Sequence, residues 1–554
     1  MSKKLKAADF ARYYKYEEMV DALRTLAAAY PNLVDIYPIG KSYEGRDIWA
    51  IELTNVATGR AEDKPAFYID ANIHAGEVTG CAVAMYTAAY LLTNYGSDPQ
   101  ATRLLDGRTW YIIPRISVDG AEVYLTTPKT PRSSIRPYPE EEQSGLILDD
   151  VNGDGLILQM RVEDPDGEWK VSDEDPRLMV RRRPDDFEGK FYRLLPEGFI
   201  KDFDGVEIKY VGNPYGLDIN RNWPSNWEQE YKQRGAGPFP LSEPETKAVA
   251  DFILAHPNIG GVMAYHTQSG AILRPSCTKP DAQMNPKDVA AYRAIGQLGT
   301  ELTGYPAINT FEEFTGKVPL KGVFMDWAYE HLGILAFSTE LWNPARRAGV
   351  THSFDQPNND EDNLKLLRWN DRELAGEGFV DWQPFDHPQL GRVEIGGWKS
   401  KFVLQNPPLQ LLLAECHKNM LFTLKHADAL PILAIDKLTA AEVGAGVYKI
   451  TAIVKNHGFL PTNISEVAKE IRVAKPVTVE IVPGEGAQLV HGQAKAEIGH
   501  LEGRLSAPSF YGSGVATLSK EKQVEWLVRG EQGGKVKVVA SSPRAGVVTK
   551  EVVL

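Results

Sequence analysis

Over its first 430 residues the chain alternates two hydrophobic patterns. "YEEMVDALRTLAAAYP" (16–31) carries apolar residues at helical spacing and stops at Pro31, which predicts an amphipathic helix. "RDIWAIELT" (46–54), "PAFYIDAN" (65–72) and "TWYIIPRI" (109–116) are short apolar runs of strand length, and "CAVAMYTAAYLLTNYG" (81–96) predicts a second helix ending at Gly96. Strands alternating with helices are the signature of an α/β layer architecture. The stretch 128–212 breaks the rhythm: it is polar, rich in Pro, Asp and Arg and thin in apolar periodicity, and reads as a long surface insertion. "PPLQLLLAECHKNMLFTLKHADALP" (407–431) resumes as a helix that stops near Pro431. From about 435 the pattern is short alternating runs between Gly, Pro and Asn turns, as in "GVYKITAIVKN", "KPVTVEIVP" and "KQVEWLVRG". The expected organisation is therefore an α/β unit over 1–430 and an all-β sandwich over 435–554, with Trp526 pointing inward.

Composition narrows the class. The 554 residues are 43% hydrophobic and 24% charged, the balance of an ordinary globular protein, and the net charge of −13 argues against nonspecific nucleic-acid binding. No apolar core of signal-peptide length follows the first lysines and no later run reaches membrane-spanning length, so the expectation is a cytosolic chain with no membrane partner. Cys81, Cys277 and Cys416 are widely spaced and odd in number, which predicts free thiols.

The candidate chemistry sits where the apolar runs end. "AFYIDANIHAGEVTG" places His74 and Glu77 just past a predicted strand; "IGGVMAYHTQSG" ends another at His266, and "LGILAFSTELW" a third at Glu340. In an open α/β sheet, the crevice beyond the carboxyl ends of the strands is where ligands bind. Two imidazoles and a carboxylate are the ligand set of a catalytic zinc site with an open fourth position, and Glu340 is the candidate general base and acid. "YGLDINRNWP" (215–224) adds Asp218, able to orient a ligating histidine through its outer nitrogen, and Asn220 with Arg221, a fork of donors for a carboxylate; taken alone it also reads as a polar turn before Pro224. Inside the insertion, "DDVNGDGLILQMR" sets Asp150, Asn152, Asp154 and Gly155 as in the first half of a calcium loop. Its twelfth position is Arg161, not a bidentate glutamate, so a plain Asx turn competes with calcium.

Taken in order, "IGKSYEGRDIWAIEL", "NIHAGEVTG", "PRISVDGAE", "GLDINRNWP", "AYHTQSG" and "DWAYEHLGILAFSTELW" give the chain, from about residue 10 to 425, a resemblance to the M14 zinc carboxypeptidases. The resemblance implies the carboxypeptidase A-like fold, a mixed sheet flanked by helices. It implies one zinc held by His74, Glu77 and His266, with Asp218 supporting His74. Asn220 and Arg221 would hold the substrate's terminal carboxylate, and Glu340 would act as base and then acid. The arginine that stabilises the oxyanion falls by resemblance within the insertion; Arg161 is the first choice and Arg181, Arg182 and Arg183 the alternatives. Val318 stands where the digestive enzymes carry a mobile tyrosine, so no tyrosine cap is expected there, and Lys317 or a loop shift would have to substitute. Met325 falls at the position that sets side-chain preference and favours an apolar or aromatic terminal residue.

The expected activity is hydrolysis of the last peptide bond of a peptide with a free carboxyl terminus. An amide hydrolase acting on a cell-wall peptide or an acylated amino acid is the alternative within the fold. A catalytically silent protein that binds through its β domain is the alternative outside it. The remaining tryptophans near the motifs, Trp223, Trp227, Trp327 and Trp342, read as core, and His331 as a helix-end residue.

Overall fold

Four apolar runs make the centre of the molecule, whose computed structural model describes residues 5–138, 144–350, 359–506 and 519–554. Strands Ala66–Ala71, Thr109–Ile113 and Ile259–Thr267 are buried at every residue, as parallel strands covered on both faces must be. With Leu335–Leu341 they form the parallel middle of an eight-stranded mixed sheet. In spatial order its strands are Val34–Lys41, Asp47–Leu53, Thr109–Ile113, Ala66–Ala71, Ile259–Thr267, Leu335–Leu341, Ala271–Arg274 and Ala307–Asn309.

Helices Tyr16–Ala29, Val78–Asn94, Pro286–Thr303 and Leu409–Asp428 cover one face around a single apolar cluster, and Pro244–Ala255 and Phe324–Glu330 cover the other. This is the α/β sheet with flanking helices expected from the pattern. Because its four central strands run the same way, their carboxyl ends open on one edge, where His74, His266 and Glu340 gather.

The polar stretch 128–212 leaves and re-enters beside that edge through a narrow neck, in which Arg132 N–H donates to the Tyr215 carbonyl, Tyr138 N–H to Pro214 and Gly216 N–H to Tyr138. Between the two legs it is not bare loop. Its strands Gln159–Glu163, Trp169–Val171, Met179–Arg181 and Tyr192–Pro196 join the hairpin Phe379–His387/Gly391–Trp398 in a six-stranded sheet. Leu146, Leu158, Met160, Leu195, Ile200, Val393 and Ile395 form the core beneath it.

Beyond residue 432 two four-stranded antiparallel sheets enclose a third core that includes Ile450, Val454, Val479, Trp526 and Val538, an all-β sandwich. Trp526 is buried and donates its indole N–H to the Gln493 carbonyl at 2.8 Å. The sandwich docks on the turn His331–Ile334. There Ser465 Oγ donates to the Gly333 carbonyl (2.8 Å), and Arg544 donates to the carbonyls of Leu332 (2.6 Å) and Gly333 (3.2 Å). All three cysteines are free and buried. Among the described residues no helix is long and apolar enough to cross a membrane.

Candidate metal centre

Strand Ala66–Ala71 ends in a turn whose first residue, Asn72, adopts φ 55° and whose side-chain amide donates to the carbonyls of His74 and Ala75. That turn aims His74 across the sheet edge and brings Glu77 to the head of helix Val78–Asn94. From the adjacent strand, Ile259–Thr267, His266 reaches the same point. Glu340 is its direct register partner on Leu335–Leu341, so both side chains lie on one face of neighbouring strands.

The ligand atoms of His74, Glu77 and His266 all lie within 4.8 Å of one another and all three residues are buried. His74 Nδ1 is 2.8 Å from Glu77 Oε1, His266 Nδ1 is 3.0 Å from Glu77 Oε2, and the two Nδ1 atoms are 3.3 Å apart. Asp218, the residue before the short helical turn Ile219–Arg221, meets the outer Nε2 of His74 at 3.1 Å, which turns Nδ1 towards the cluster. Asp218 is itself held by Arg132, whose Nε and Nη2 donate to its Oδ2 at 3.1 and 3.0 Å.

The electrostatics show what the cluster needs. Burial alone would raise the Glu77 carboxyl, but the two imidazoles hold it down at about 2. Burial would likewise lower His266, yet Glu77, with Glu340 behind it, lifts it to about 9. Without a cation the carboxylate draws a proton onto an imidazole; a divalent metal would take that proton's place, as zinc does when it binds neutral imidazole and carboxylate. Burial would raise Asp218 too, but Arg132, Arg221 and His74 keep it well below the carboxylate range. The donor set therefore fits zinc, with two histidines, one carboxylate and a carboxylate-backed imidazole.

Asn220 and Arg221 lie beside the cluster. The Asn220 Oδ1 accepts the Phe324 N–H at 2.9 Å, which fixes the amide, and Arg221 Nη1 donates to the Asn220 carbonyl at 2.8 Å and lies 3.9 Å from Asp218. Met325 is buried in the core on that face of the sheet. Its neighbour Asp326 is also buried. Its carboxyl, raised to about 7 first by burial and then by Glu330, accepts the Cys277 N–H. Val318 is 61% exposed, and Lys317 before it adopts φ 72°. Trp223, Trp327 and Trp342 are core residues, and His331 caps the end of helix Phe324–Glu330.

Arg161, the first choice for the oxyanion arginine, lies in the six-stranded sheet, where Nε bonds Glu394 at 2.8 Å and the guanidinium lies over the rings of Tyr192 and Trp382. Arg181 and Arg182 lie over Trp169 and Phe191 within the insertion, and the backbone N–H of Arg183 donates to Asp186. A further arginine at the cluster is Arg132, from "PKTPRSS", with Nη1 3.9 Å from Glu77 Oε1 and 40% of its side chain exposed. No periodic element marks it in the sequence; its only signal is its place a few residues beyond helix Val118–Thr126, which begins within "PRISVDGAE". The calcium reading of Asp150, Asn152 and Asp154 lacks support. Asp150 accepts the N–H groups of Gly153, Asp154 and Gly155, Asn152 that of Asp154, and Asp154 that of Leu156, the geometry of a self-satisfied Asx turn.

The family model described as zinc carboxypeptidase matches residues 19–364, and a domain of unknown function, DUF8731, matches 432–553. Carboxypeptidase A2 of Rattus norvegicus is 26% identical over 351 residues, 61% of this chain and 64% of its own length; carboxypeptidase A6 of Homo sapiens is 26% identical over 350 residues, 61% and 62%. The chain thus spans a little under two thirds of the curated relatives it matches. Among solved structures it is similar to thrombin activatable fibrinolysis inhibitor (18% identity, TM-score 0.44, 77% of this chain and 76% of that one). It is also similar to carboxypeptidase A from Helicoverpa armigera (17%, TM-score 0.39, 68% and 73%). With the family model spanning more than half of its length and the sheet, cluster and motifs in family order, the chain belongs to the zinc carboxypeptidases of the M14 family.

Proposed function

We propose that this protein is a zinc-dependent metallocarboxypeptidase that removes the last residue of peptides with a free carboxyl terminus. The observation that carries the reading is the convergence of His74, Glu77 and His266 at the carboxyl edge of the sheet, with Glu340 in register beside His266. Zinc held there would supply a Lewis acid that acidifies water and polarises the scissile carbonyl. The rest is the work of the chain's own groups. Arg221 and Asn220 bind the terminal carboxylate and set which bond lies over the cluster. Glu340 takes a proton from the attacking water as the new C–O bond forms, then passes it to the amine nitrogen as the C–N bond breaks. Arg132, fixed by Asp218 and partly exposed, would stabilise negative charge on the carbonyl oxygen.

The test is a pair of N-blocked dipeptides ending in phenylalanine, one a free acid and one a carboxamide, given to the zinc-loaded protein and to Arg221→Ala. The acid should be cleaved at least ~100-fold faster than the amide, and Arg221→Ala should erase most of that difference. Equal rates on acid and amide would remove the terminus-reading role, and cleavage of neither by the zinc-bound protein would point to another amide as substrate.

A further inference from the structure

Glu77 occupies a position that helices normally give to a capping residue. It precedes helix Val78–Asn94, its backbone is not helical (φ −90°, ψ 51°), and its side chain makes no cap bond because the carboxylate is turned into the metal centre. The first N–H groups of a buried helix still need acceptors. The Thr79 N–H, which a side chain at position 77 would ordinarily satisfy, finds its acceptor 327 residues away, in the Oδ1 of Asn406 at 3.1 Å; the Thr79 hydroxyl donates to the same oxygen at 2.8 Å. The amide of Asn406 donates in turn to the Gly76 carbonyl at 2.8 Å. One fully buried side chain thus brackets Glu77, gripping the backbone on both sides of it.

Asn406 is well anchored for that task. Its amide is shared with the Lys401 carbonyl (2.9 Å) and the Tyr124 hydroxyl (3.2 Å), and its own N–H donates to Lys401. Lys401 Nζ closes the segment onto the end of helix Val118–Thr126, donating to the carbonyls of Tyr124, Thr127 and Lys129 at 2.6, 2.6 and 2.9 Å. Pro407 and Pro408 stiffen the exit. An acceptor at one end and a donor at the other are what Thr79 N–H and Gly76 C=O demand together; an ionised aspartate lacks the donor and leucine lacks both.

We infer that Asn406 is a positioning residue of the metal centre: it caps the Glu77 helix from outside, which releases the Glu77 carboxylate to bind metal. The inference rests on the reading of His74, Glu77 and His266 as the zinc ligands. It is tested on the full chain by measuring the zinc Kd through competition with a chromophoric chelator, and the apo-protein Tm, for wild type, Asn406→Leu, Asn406→Ala and Glu77→Gln. Asn406→Leu should weaken zinc about tenfold or more. Should Asn406→Leu fail to fold, Asn406→Ala, which leaves space for a water, gives the same readout. A folded Asn406 variant that holds zinc with the wild-type Kd, even at a lower Tm, overturns the positioning role, since a merely structural residue would move Tm alone. Wild-type zinc affinity in Glu77→Gln would instead overturn the metal-centre reading beneath it.

Discussion

Arg132 commits Nε and Nη2 to Asp218 and keeps Nη1 near Glu77, so its charge is fixed at the cluster while part of its side chain stays exposed. Arg132→Ala should lower kcat/KM by about 100-fold or more, because a preorganised donor is lost where negative charge develops. Arg161→Ala should leave kcat/KM within about threefold and lower Tm, because it removes the Glu394 bond and two ring contacts of the six-stranded sheet. Steady-state kinetics on one substrate separates the two arginines, and the opposite ranking would favour Arg161. The sequence pointed at Arg161 because the family position of that arginine falls inside the insertion, whereas Arg132 lies in a polar run whose place is set by long-range bonds: its N–H to the Tyr215 carbonyl, its carbonyl to the Ala75 N–H and its guanidinium to Asp218. The metal-group residues were legible for the opposite reason: each follows an apolar run that could only be a buried strand. His426 gives a prediction of another kind. It is fully buried, neither ring nitrogen has a hydrogen-bond partner among the described residues, and it packs edge-on against Phe67 and Phe337. Burial pushes its pKa down from 6.5 to about 3. Between those values the unfolded chain binds the extra proton, so this contribution is complete above pH 6.5 and is lost as the pH falls through that window. His426→Leu should therefore raise Tm more at pH 5 than at pH 8, measured by calorimetry; an equal shift at both would contradict a neutral buried imidazole.

At the scale of elements, periodicity served where runs were long. Helices Tyr16–Ala29 and Val78–Asn94 and the central strands stand where the pattern put them. It failed in 128–212, where strands of three to five residues are too short to display a period, and where two of the sheet's six strands come from the hairpin after residue 378. Pairing across some 200 residues leaves no mark in a local window. The turn before the Glu340 strand is similar. Gly333 adopts φ 62°, and a Cβ there would lie 2.3 Å from the Cβ of Ala468 in the β sandwich. Gly333→Ala should cost about 2 kcal/mol or more, from left-handed strain and from displacement of the docked sandwich. Denaturant unfolding should show it as a lower midpoint; an unchanged midpoint would mean that the sandwich does not press on this turn.

Across the whole molecule, the β sandwich was visible as alternation and turns, but its docking was not. It rests on side chains that meet carbonyls, Ser465 and Arg544 on the turn 332–333, and on Asp288, which accepts the N–H groups of Glu466 and Val467 while Tyr329 donates to it. These contacts tie helices Pro286–Thr303 and Phe324–Glu330 to the sandwich, beside the strand that carries Glu340. The cleft is thus assembled from five separate stretches of chain: the His74–Glu77 turn, Arg132, the Asp218–Arg221 turn, the His266 strand and the Glu340 strand. Of these only Glu340 is assigned to move protons without binding metal, which makes it the sharpest point of the account. The measurement is kcat of Glu340→Gln on an N-blocked dipeptide ending in phenylalanine, with zinc content determined on the same sample. The account predicts one zinc per chain, as in wild type, and a kcat lowered by about 1,000-fold or more. A zinc-loaded Glu340→Gln protein within tenfold of wild type would contradict it.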